Sequence, residues 1–326
     1  APAQPQPSLN AAQQAAVSAV ESCFGQFKTF LLHGITGSGK TAVYFKWVAS
    51  LQARGQQVLI LVPEIALTPQ LEARFRAALP AASLAVLHSG IHETARTRAW
   101  LMAQAGTVDV VLGTRLAVFT PLPRLGLIIV DEEHDPSLRQ QEGVRYSARD
   151  LAVWRASTSA CPVVLGSATP SLESYAHAQR GHYHYLSLPH RAVTGASIPR
   201  FVCLDMRPLA ADTVIHPQLQ LALQTRLTRQ EQSLLFLNRR GFAPTLFCPA
   251  CAWTQACPHC SVKMVVHLRA QRLQCHHCGH QQPIPTYCPD CGQADLLPLG
   301  QGTQRLEAAV YAAFPQARIC RIDRDS

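Results

Sequence analysis

The sequence predicts an α/β protein: a parallel sheet covered by helices, then a second, shorter α/β region that a cysteine-rich module interrupts. Three observations predict this. Six short apolar runs without polar alternation recur between residues 29 and 165, separated by helix-forming stretches. That is the pattern of strands buried on both faces. A glycine-rich turn, GITGSGKT at 34–41, lies between the first run and a helical stretch. Eight of the twelve cysteines fall in four C-x2-C pairs between Cys248 and Cys291.

In chain order, APAQPQPS at 1–8 reads as a linker. The expected strands of the first region are 29–33, 58–62, 84–87, 108–112, 127–130 and 163–165, with helices at 41–54 and 70–79. Ligands of such sheets gather at the carboxyl ends of the strands, so those loops carry the chemistry. The proline-bearing stretch 189–217 reads as a connector. The second region opens with a helix at 219–228 and a strand at 233–237. It resumes after the cysteine module with a helix near Gln304 and a strand at 318–322. The expected organisation is therefore a linker 1–8, a first lobe 9–190, a connector and start of a second lobe 191–246, a metal module 247–295 and a lobe continuation 296–326. The start at Ala1 and the end just past an apparent strand read as an excerpt of a longer protein.

A formal charge of +9 favours a polyanionic partner such as nucleic acid. No apolar run is long enough to span a bilayer, so no membrane partner is expected. Paired cysteines at metal spacing in a chain of 326 residues point to a reducing cytoplasm rather than a disulfide scaffold. Cys23, Cys161, Cys203 and Cys320 read as ordinary core or surface thiols.

The stretch Gly34, Ile35, Thr36, Gly37, Ser38, Gly39, Lys40 and Thr41 fits G-x-x-x-x-G-K-[ST] between a strand and a helix. Its glycines let backbone N–H groups converge on phosphate oxygens, and the helix amino terminus adds positive potential. Lys40 can reach the terminal phosphates of ATP, and Thr41 can ligate Mg2+. The bland alternative is a chance turn. Further on, LGLIIVDEEHD ends a buried strand in acidic residues. Asp131 there can hold the magnesium, directly or through water, and Glu132 can orient and deprotonate an attacking water. The alternative is a solvated acidic turn.

The pairs Cys248/Cys251, Cys257/Cys260, Cys275/Cys278 and Cys288/Cys291 supply eight thiolates, enough for two tetrahedral zinc ions. The sequence between Cys260 and Cys275, with VKMVVHLRAQRLQ inside it, reads as strand, turn, strand, which brings the two inner pairs together. The expectation is nested: Cys248, Cys251, Cys288 and Cys291 around one zinc, Cys257, Cys260, Cys275 and Cys278 around the other. Pairing in order would need a very tight reversal between Cys251 and Cys257. His259, His276, His277 and His280 are competing ligand candidates, although eight thiols already fill two sites.

DEEH at 131–134 with Ser167-Ala168-Thr169 ending the next strand resembles superfamily 2 helicases. The ordered set GITGSGKTAVY, LVPEIALTPQ, LHSG, VVLGTRLAVFTPL, VDEEHDPSLRQQEGVRYSARDLAVWRA, LGSATPSLES and FLNRRGFAP, then the cysteine module, GQGTQRLE and RIDRDS, narrows this. It resembles the primosomal protein N′ family of bacterial replication-restart helicases, from Leu9 to Ser326. The resemblance implies a RecA-like P-loop lobe and an incomplete second RecA-like lobe with an inserted two-zinc module. It implies an ATP-dependent 3′→5′ DNA helicase of replication restart and primosome assembly, with ATP, Mg2+ and two Zn2+ as cofactors. Implied partners are forked and single-stranded DNA, primosome proteins and single-stranded-DNA-binding protein; a monomer is expected.

Residue by residue, the resemblance makes Gln13 the adenine contact; the alternative is a surface helix glutamine. Ser167-Ala168-Thr169 would link hydrolysis to movement. Thr114 and Arg115 would reach DNA phosphate, while Arg115 has the alternative of a salt bridge inside the lobe; Pro63-Glu64 would not face phosphate. In relatives the loop 136–148 is rich in aromatics. Here Tyr146 is the only one, so either one ring suffices or Leu138 and Val144 wedge instead. Ala42 stands where relatives often carry glutamate, and no physical account of it presents itself. No match to the family's Q-x-x-G-R-x-G-R arginine element occurs, and NRRGF at 238–242 is not it. The rival reading is therefore an ATP- and DNA-binding, zinc-mediated docking module that turns over weakly or not at all.

Overall fold

Apolar runs with no polar face can be buried only between two layers of helices, and that is where they lie. The structure, a computed structural model, describes residues 8–63, 68–141, 143–192, 199–209, 213–237, 245–260, 262–267, 271–275, 277–294, 296–299 and 303–322. The chain divides into two units, Ala1–Ile198 and Pro199–Ser326. The division falls a few residues beyond the expected lobe boundary at 190.

The first unit contains α1 (Ala11–Glu21), β1 (Lys28–Gly34), α2 (Lys40–Ala53), β2 (Gln57–Leu61), α3 (Thr68–Ala78), β3 (Leu84–Leu87), α4 (Glu93–Gln104), β4 (Val110–Gly113) and β5 (Leu125–Asp131). There follow a short hairpin of β6 (Arg139–Gln140) and β7 (Tyr146–Ser147), then α5 (Ala148–Thr158), β8 (Pro162–Ser167), α6 (Leu172–Gln179) and β9 (His184–Leu188). Seven parallel strands form one sheet in the order β3-β4-β2-β5-β8-β1-β9. Phe30 and Leu32 of β1 pack on one face with Tyr44, Trp47 and Val17; Leu31 packs on the other with Ala152 and Ala156. The helix α2 follows from Val43, Tyr44, Trp47, Val48 and Leu51, buried at three- and four-residue spacing.

The strand order matters for function. In register, Asp131 of β5 lies beside Gly166 of β8, and His33 of β1 beside Ser167. The phosphate loop, the acidic turn and the Ser167-Ala168-Thr169 turn thus leave three adjacent strands at the same sheet edge. All six expected strands form here. The seventh, β9, has no apolar run: HYLSL is an edge strand with only Leu186 and Leu188 buried, and its weak alternation was the available signal.

In the second unit, α7 (Pro217–Thr228) and α8 (Thr303–Ala313) occupy the expected helical stretches. Short strands build the cysteine module: β10 (Thr245–Phe247) pairs with β14 (Leu297–Leu299), and β11 (Val265–His267), β12 (Arg272–Gln274) and β13 (Gln281–Pro283) form an antiparallel ribbon. The expected strands at 233–237 and 318–322 do not form. Among the described residues no strand pairs with either, and Leu234, Phe236 and Ile322 stay exposed at 90%, 84% and 84%. A β-prone run becomes a strand only when a neighbour supplies the ladder and a covering layer takes its side chains.

Candidate nucleotide site and cysteine tetrads

The glycines of the phosphate loop are required sterically. A Cβ on Gly34 would come within 2.5 Å of Ser38 Oγ and 3.1 Å of Lys40 Cγ. Gly37 and Gly39 sit at φ +80° and +81°, a region that side chains disfavour. The turn closes by Ser38 N–H donating to Ile35 O at 2.9 Å, which leaves Thr36 and Gly37 exposed. Gly39 caps α2, so Lys40 and Thr41 are its first residues, both half-buried. Ser38 Oγ is buried with no hydrogen-bond partner. A cradle of bare backbone with an orphaned hydroxyl beside a lysine fits a phosphate group.

Gln13 is buried rather than on the surface. Its Oε1 accepts from Asn10 N–H at 2.9 Å, completing the cap of α1, and its Nε2 donates to Ser38 O at 2.8 Å. A Cβ on Gly39 would collide with that Nε2. Gly39→Ala should therefore displace Gln13 and force an alanine into the left-handed region, a cost of about 1–2 kcal/mol before the clash is counted. We expect ADP affinity to fall at least about tenfold in a titration with a fluorescent nucleotide; wild-type affinity would show the turn to be irrelevant to nucleotide.

The acidic turn meets this loop. Lys40 Nζ donates to Gly34 O at 3.1 Å and lies 3.7 Å from Glu132 Oε1. Glu132 is held left-handed at φ +46°, a conformation a glutamate adopts only when its surroundings impose it. The amides of Glu133 and Asp135 fix it from both sides, donating to Gly166 O at 3.1 Å and to Glu132 O at 2.9 Å. Asp131 Oδ1 accepts from the buried Tyr44 hydroxyl at 2.8 Å. Burial pushes the Asp131 carboxyl up from the usual range, while the Tyr44 hydroxyl pulls it down and Glu132 adds a further upward push. A divalent cation beside it would favour the charged form. Asp131 is thus half-buried and partnered by a buried hydroxyl.

Glu133 and His134, which the sequence marked only as motif members without a role, and Arg149, which it did not single out, complete the turn. Glu133, fully buried, accepts from Arg149 Nη1 at 3.3 Å, Ser171 N–H at 2.7 Å, Ser171 Oγ at 3.0 Å and Ser174 Oγ at 2.8 Å. Arg149 is held above its ordinary value, burial being outweighed by Asp150 and then Glu133. His134 joins the acidic turn to the next one, with Nδ1 2.8 Å from Ser167 Oγ and Nε2 3.4 Å from Thr169 Oγ1.

Arg115 makes no salt bridge inside the lobe among the described residues. Its Nη1 donates to the carbonyl oxygens of Ser137 and Arg139, both at 3.1 Å, so it ties down the loop 136–148. Leu138 of that loop is buried in the core, because the short 3-10 turn at Pro136–Leu138 points it inward, and it is not available as a wedge. The Tyr146 ring packs edge-on against Phe119, 5.1 Å between centroids, which leaves Val144 as the exposed apolar residue. Glu64, His276 and the NRRGF stretch lie outside the described residues.

The eight cysteines come together as two nested tetrads. Cys248, Cys251, Cys288 and Cys291 form one; Cys257, Cys260, Cys275 and Cys278 form the other; in each the sulfurs all lie within 4.8 Å of one another. The β11–β12 hairpin sets the inner tetrad, with Cys260 and Cys275 Sγ 3.5 Å apart and Cys257 and Cys278 3.4 Å apart. Zinc–sulfur bonds of about 2.3 Å in a tetrahedron put sulfurs about 3.8 Å apart, so either tetrad can take zinc with little movement. No histidine belongs to either tetrad among the described residues. Within each tetrad the thiols shift in opposite directions. Amide donation, led by Cys278, brings Cys275 down to about 6; in Cys248 burial opposes the shift, yet the amides of Cys251 and Ala250 bring it to about 7. In Cys251 and Cys260 the amides of Trp253 and Val262 are outweighed by burial and the neighbouring thiols, which push both up to about 12. Such amide donation favours the thiolate that a metal needs.

A family profile described as DEAD/DEAH box helicase matches residues 10–178, and one described as PriA DNA helicase Cys-rich region (CRR) domain matches 257–283. The chain is 44% identical over 300 residues to the replication restart protein PriA of Haemophilus influenzae, covering 92% of this chain and 41% of that protein. It is 42% identical over 304 residues to the Bacillus subtilis protein of that name, covering 92% and 38%, and 41% identical over 322 residues to that of Treponema pallidum, covering 98% and 48%. The chain thus spans less than half the length of these curated relatives.

Proposed function

The chain belongs to the DEAD/DEAH box helicase family, and we propose that it carries the ATP-hydrolysing, DNA-translocating machinery of a replication-restart helicase. The observation that carries this reading is the meeting of the phosphate loop and the acidic turn, with Lys40 Nζ 3.7 Å from Glu132. The backbone of 34–39 and the amino end of α2 would hold the phosphates, and Lys40 would neutralise the terminal ones. Thr41 and Asp131 would hold Mg2+, which supplies charge neutralisation on the phosphates when bound. Glu132 would orient and deprotonate the attacking water, and Gln13 would select adenine from the side of Gly39. Among the described residues no helix is long and apolar enough to cross a membrane.

The 3′→5′ polarity, the forked and single-stranded DNA substrates, the primosome and single-stranded-DNA-binding partners and the coupling of hydrolysis to movement rest on resemblance. The path His134–Ser167–Thr169 supports the coupling, since it joins the hydrolytic turn to its neighbour by hydrogen bonds. Duplex unwinding with a 3′ tail and DNA-stimulated phosphate release test the proposal together. ATP hydrolysis indifferent to DNA would refute the motor.

A second reading has its own support. The sequence contains no match to the arginine element Q-x-x-G-R-x-G-R, which would stabilise charge on the transferred phosphoryl group from the second lobe. On that reading residues 1–326 bind ATP and DNA with slow turnover. Phosphate release by this chain at the rate of the relatives would overturn it.

The two cysteine tetrads would each hold a structural Zn2+, since four thiols complete each tetrahedral set among the described residues. Cys257→Ser should release one zinc per chain and spare the Cys248 tetrad, as read by metal analysis of the purified protein. Loss of both ions, or of neither, would count against independent sites.

A further inference from the structure

We infer that Arg191 is a nucleotide-binding residue, contacting the ADP portion of the nucleotide from a short strap that follows β9. The inference rests on the proposal that residues 34–41 bind nucleotide. The strap lies directly on the phosphate loop. Ile35 N–H donates to Leu188 O at 3.3 Å, and Ala192 N–H donates to Gly37 O at 2.8 Å. Side chains line it as well: a Cβ on Gly37 would lie 3.9 Å from Arg191 Cγ, and one on Gly39 would lie 3.1 Å from Ala192 Cβ. At Gly39 part of the need for glycine is thus set by Ala192, some 150 positions further along the chain, while Arg191 lies in ordinary contact distance of Gly37.

The other half-buried or buried arginines described in its unit donate to the protein: Arg149 faces Glu133, Arg155 donates to Val118 O and Thr120 O, and Arg115, whose Nε is also orphaned, donates through Nη1 to two loop carbonyls. Arg191 has its Nε shut off from solvent without a hydrogen-bond partner, and no carboxylate pairs with it among the described residues. A guanidinium held away from water with an unmet donor is unfavourable until an acceptor arrives. The loop it leans on is built to receive an anion, and a planar guanidinium can fork onto phosphate or stack on a base.

The position on the turn indicates which part of the ligand is touched. Lys40 and Glu132 meet at the end of the site where terminal phosphates are transferred. The strap meets the turn at Gly37 and Gly39, where Gln13 also reaches it through Ser38 O. Arg191 therefore serves ADP and ATP alike.

The test is nucleotide titration, by calorimetry or a fluorescent analogue, of the unaltered chain, Arg191→Ala, Arg191→Lys and, as a control, Lys40→Ala. Arg191→Ala should weaken ADP and ATP by the same factor, about tenfold, as expected for one charge-assisted hydrogen bond. Arg191→Lys should recover only part of that, because an ammonium cannot fork, and it keeps the strap in place should alanine loosen it. Unchanged affinity in both variants overturns the inference, and so does a loss confined to ATP, which would move the contact to the terminal phosphate. Failure of the unaltered chain to bind either nucleotide would remove the phosphate-loop reading itself, and this one with it; Lys40→Ala separates that case from a specific defect at Arg191.

Discussion

Replacing Glu132 with glutamine should leave nucleotide affinity near wild type and lower DNA-stimulated phosphate release by about 10²- to 10⁴-fold, the usual worth of a general base. The measurement compares DNA-stimulated phosphate release by the variant and the unaltered protein. The substitution keeps size and shape, so the left-handed backbone at φ +46° and the flanking turn bonds should persist. What disappears is the carboxylate that faces Lys40 at 3.7 Å. An uncharged amide also removes repulsion from the triphosphate, so ATP affinity should hold or rise slightly. Hydrolysis that survives Glu132→Gln would assign water activation elsewhere, while a matching loss of binding would make Glu132 a binding group. Asp131 should behave differently: it is partnered by the Tyr44 hydroxyl, and its removal should strike magnesium dependence first.

The largest stability effect is expected at Arg149. Its guanidinium is the only cation facing the Glu133 carboxylate among the described residues, and Glu133 is 2% exposed. Arg149→Met keeps the apolar stem but leaves a buried charge uncompensated, a loss of about 3–5 kcal/mol. In a unit of this size that lowers the melting temperature by roughly 10 °C or more. Glu133→Gln alone should cost less, because Ser171 and Ser174 still donate to the amide oxygen. Combining Glu133→Gln with Arg149→Met should recover part of the loss, since the double variant buries no charge. A melting temperature for Arg149→Met within about 2 °C of wild type would mean that the Ser171 and Ser174 donors, with water, already stabilise the Glu133 carboxylate. Beyond stability, Glu133 holds both the acidic turn and the first turn of α6. Arg149→Met should therefore weaken DNA stimulation of hydrolysis even below its melting range.

The candidate site was legible in short stretches. Gly34 to Thr41 needs only a strand, three glycines and a lysine, and each leaves a mark within eight residues. The same holds for Asp131-Glu132-Glu133-His134 at the end of an apolar run. The nested cysteines were legible because β11 and β12 are neighbours in the chain, so loop length alone restricts which pairs meet. Other expectations failed for an equally definite reason. Residues 233–237 and 318–322 have β-prone composition, yet a strand exists only through its partners, and composition does not report them. Leu138 looked like a free apolar residue of a loop, but one 3-10 turn carries it into the core.

What the chain declares by itself is therefore chemistry with a local signature: a phosphate loop, an acidic strand end, four thiol pairs and six buried strands. Only the tertiary fold decides which distant residues support that chemistry. The order β5-β8-β1-β9 sets Tyr44 against Asp131, Arg149 against Glu133 and the strap at Arg191 against Gly37. The physical reason is range. Periodicity and turn sterics act over a few residues, whereas a hydrogen bond between Tyr44 and Asp131, 87 positions apart, exists because β5, β8 and β1 lie side by side in one sheet.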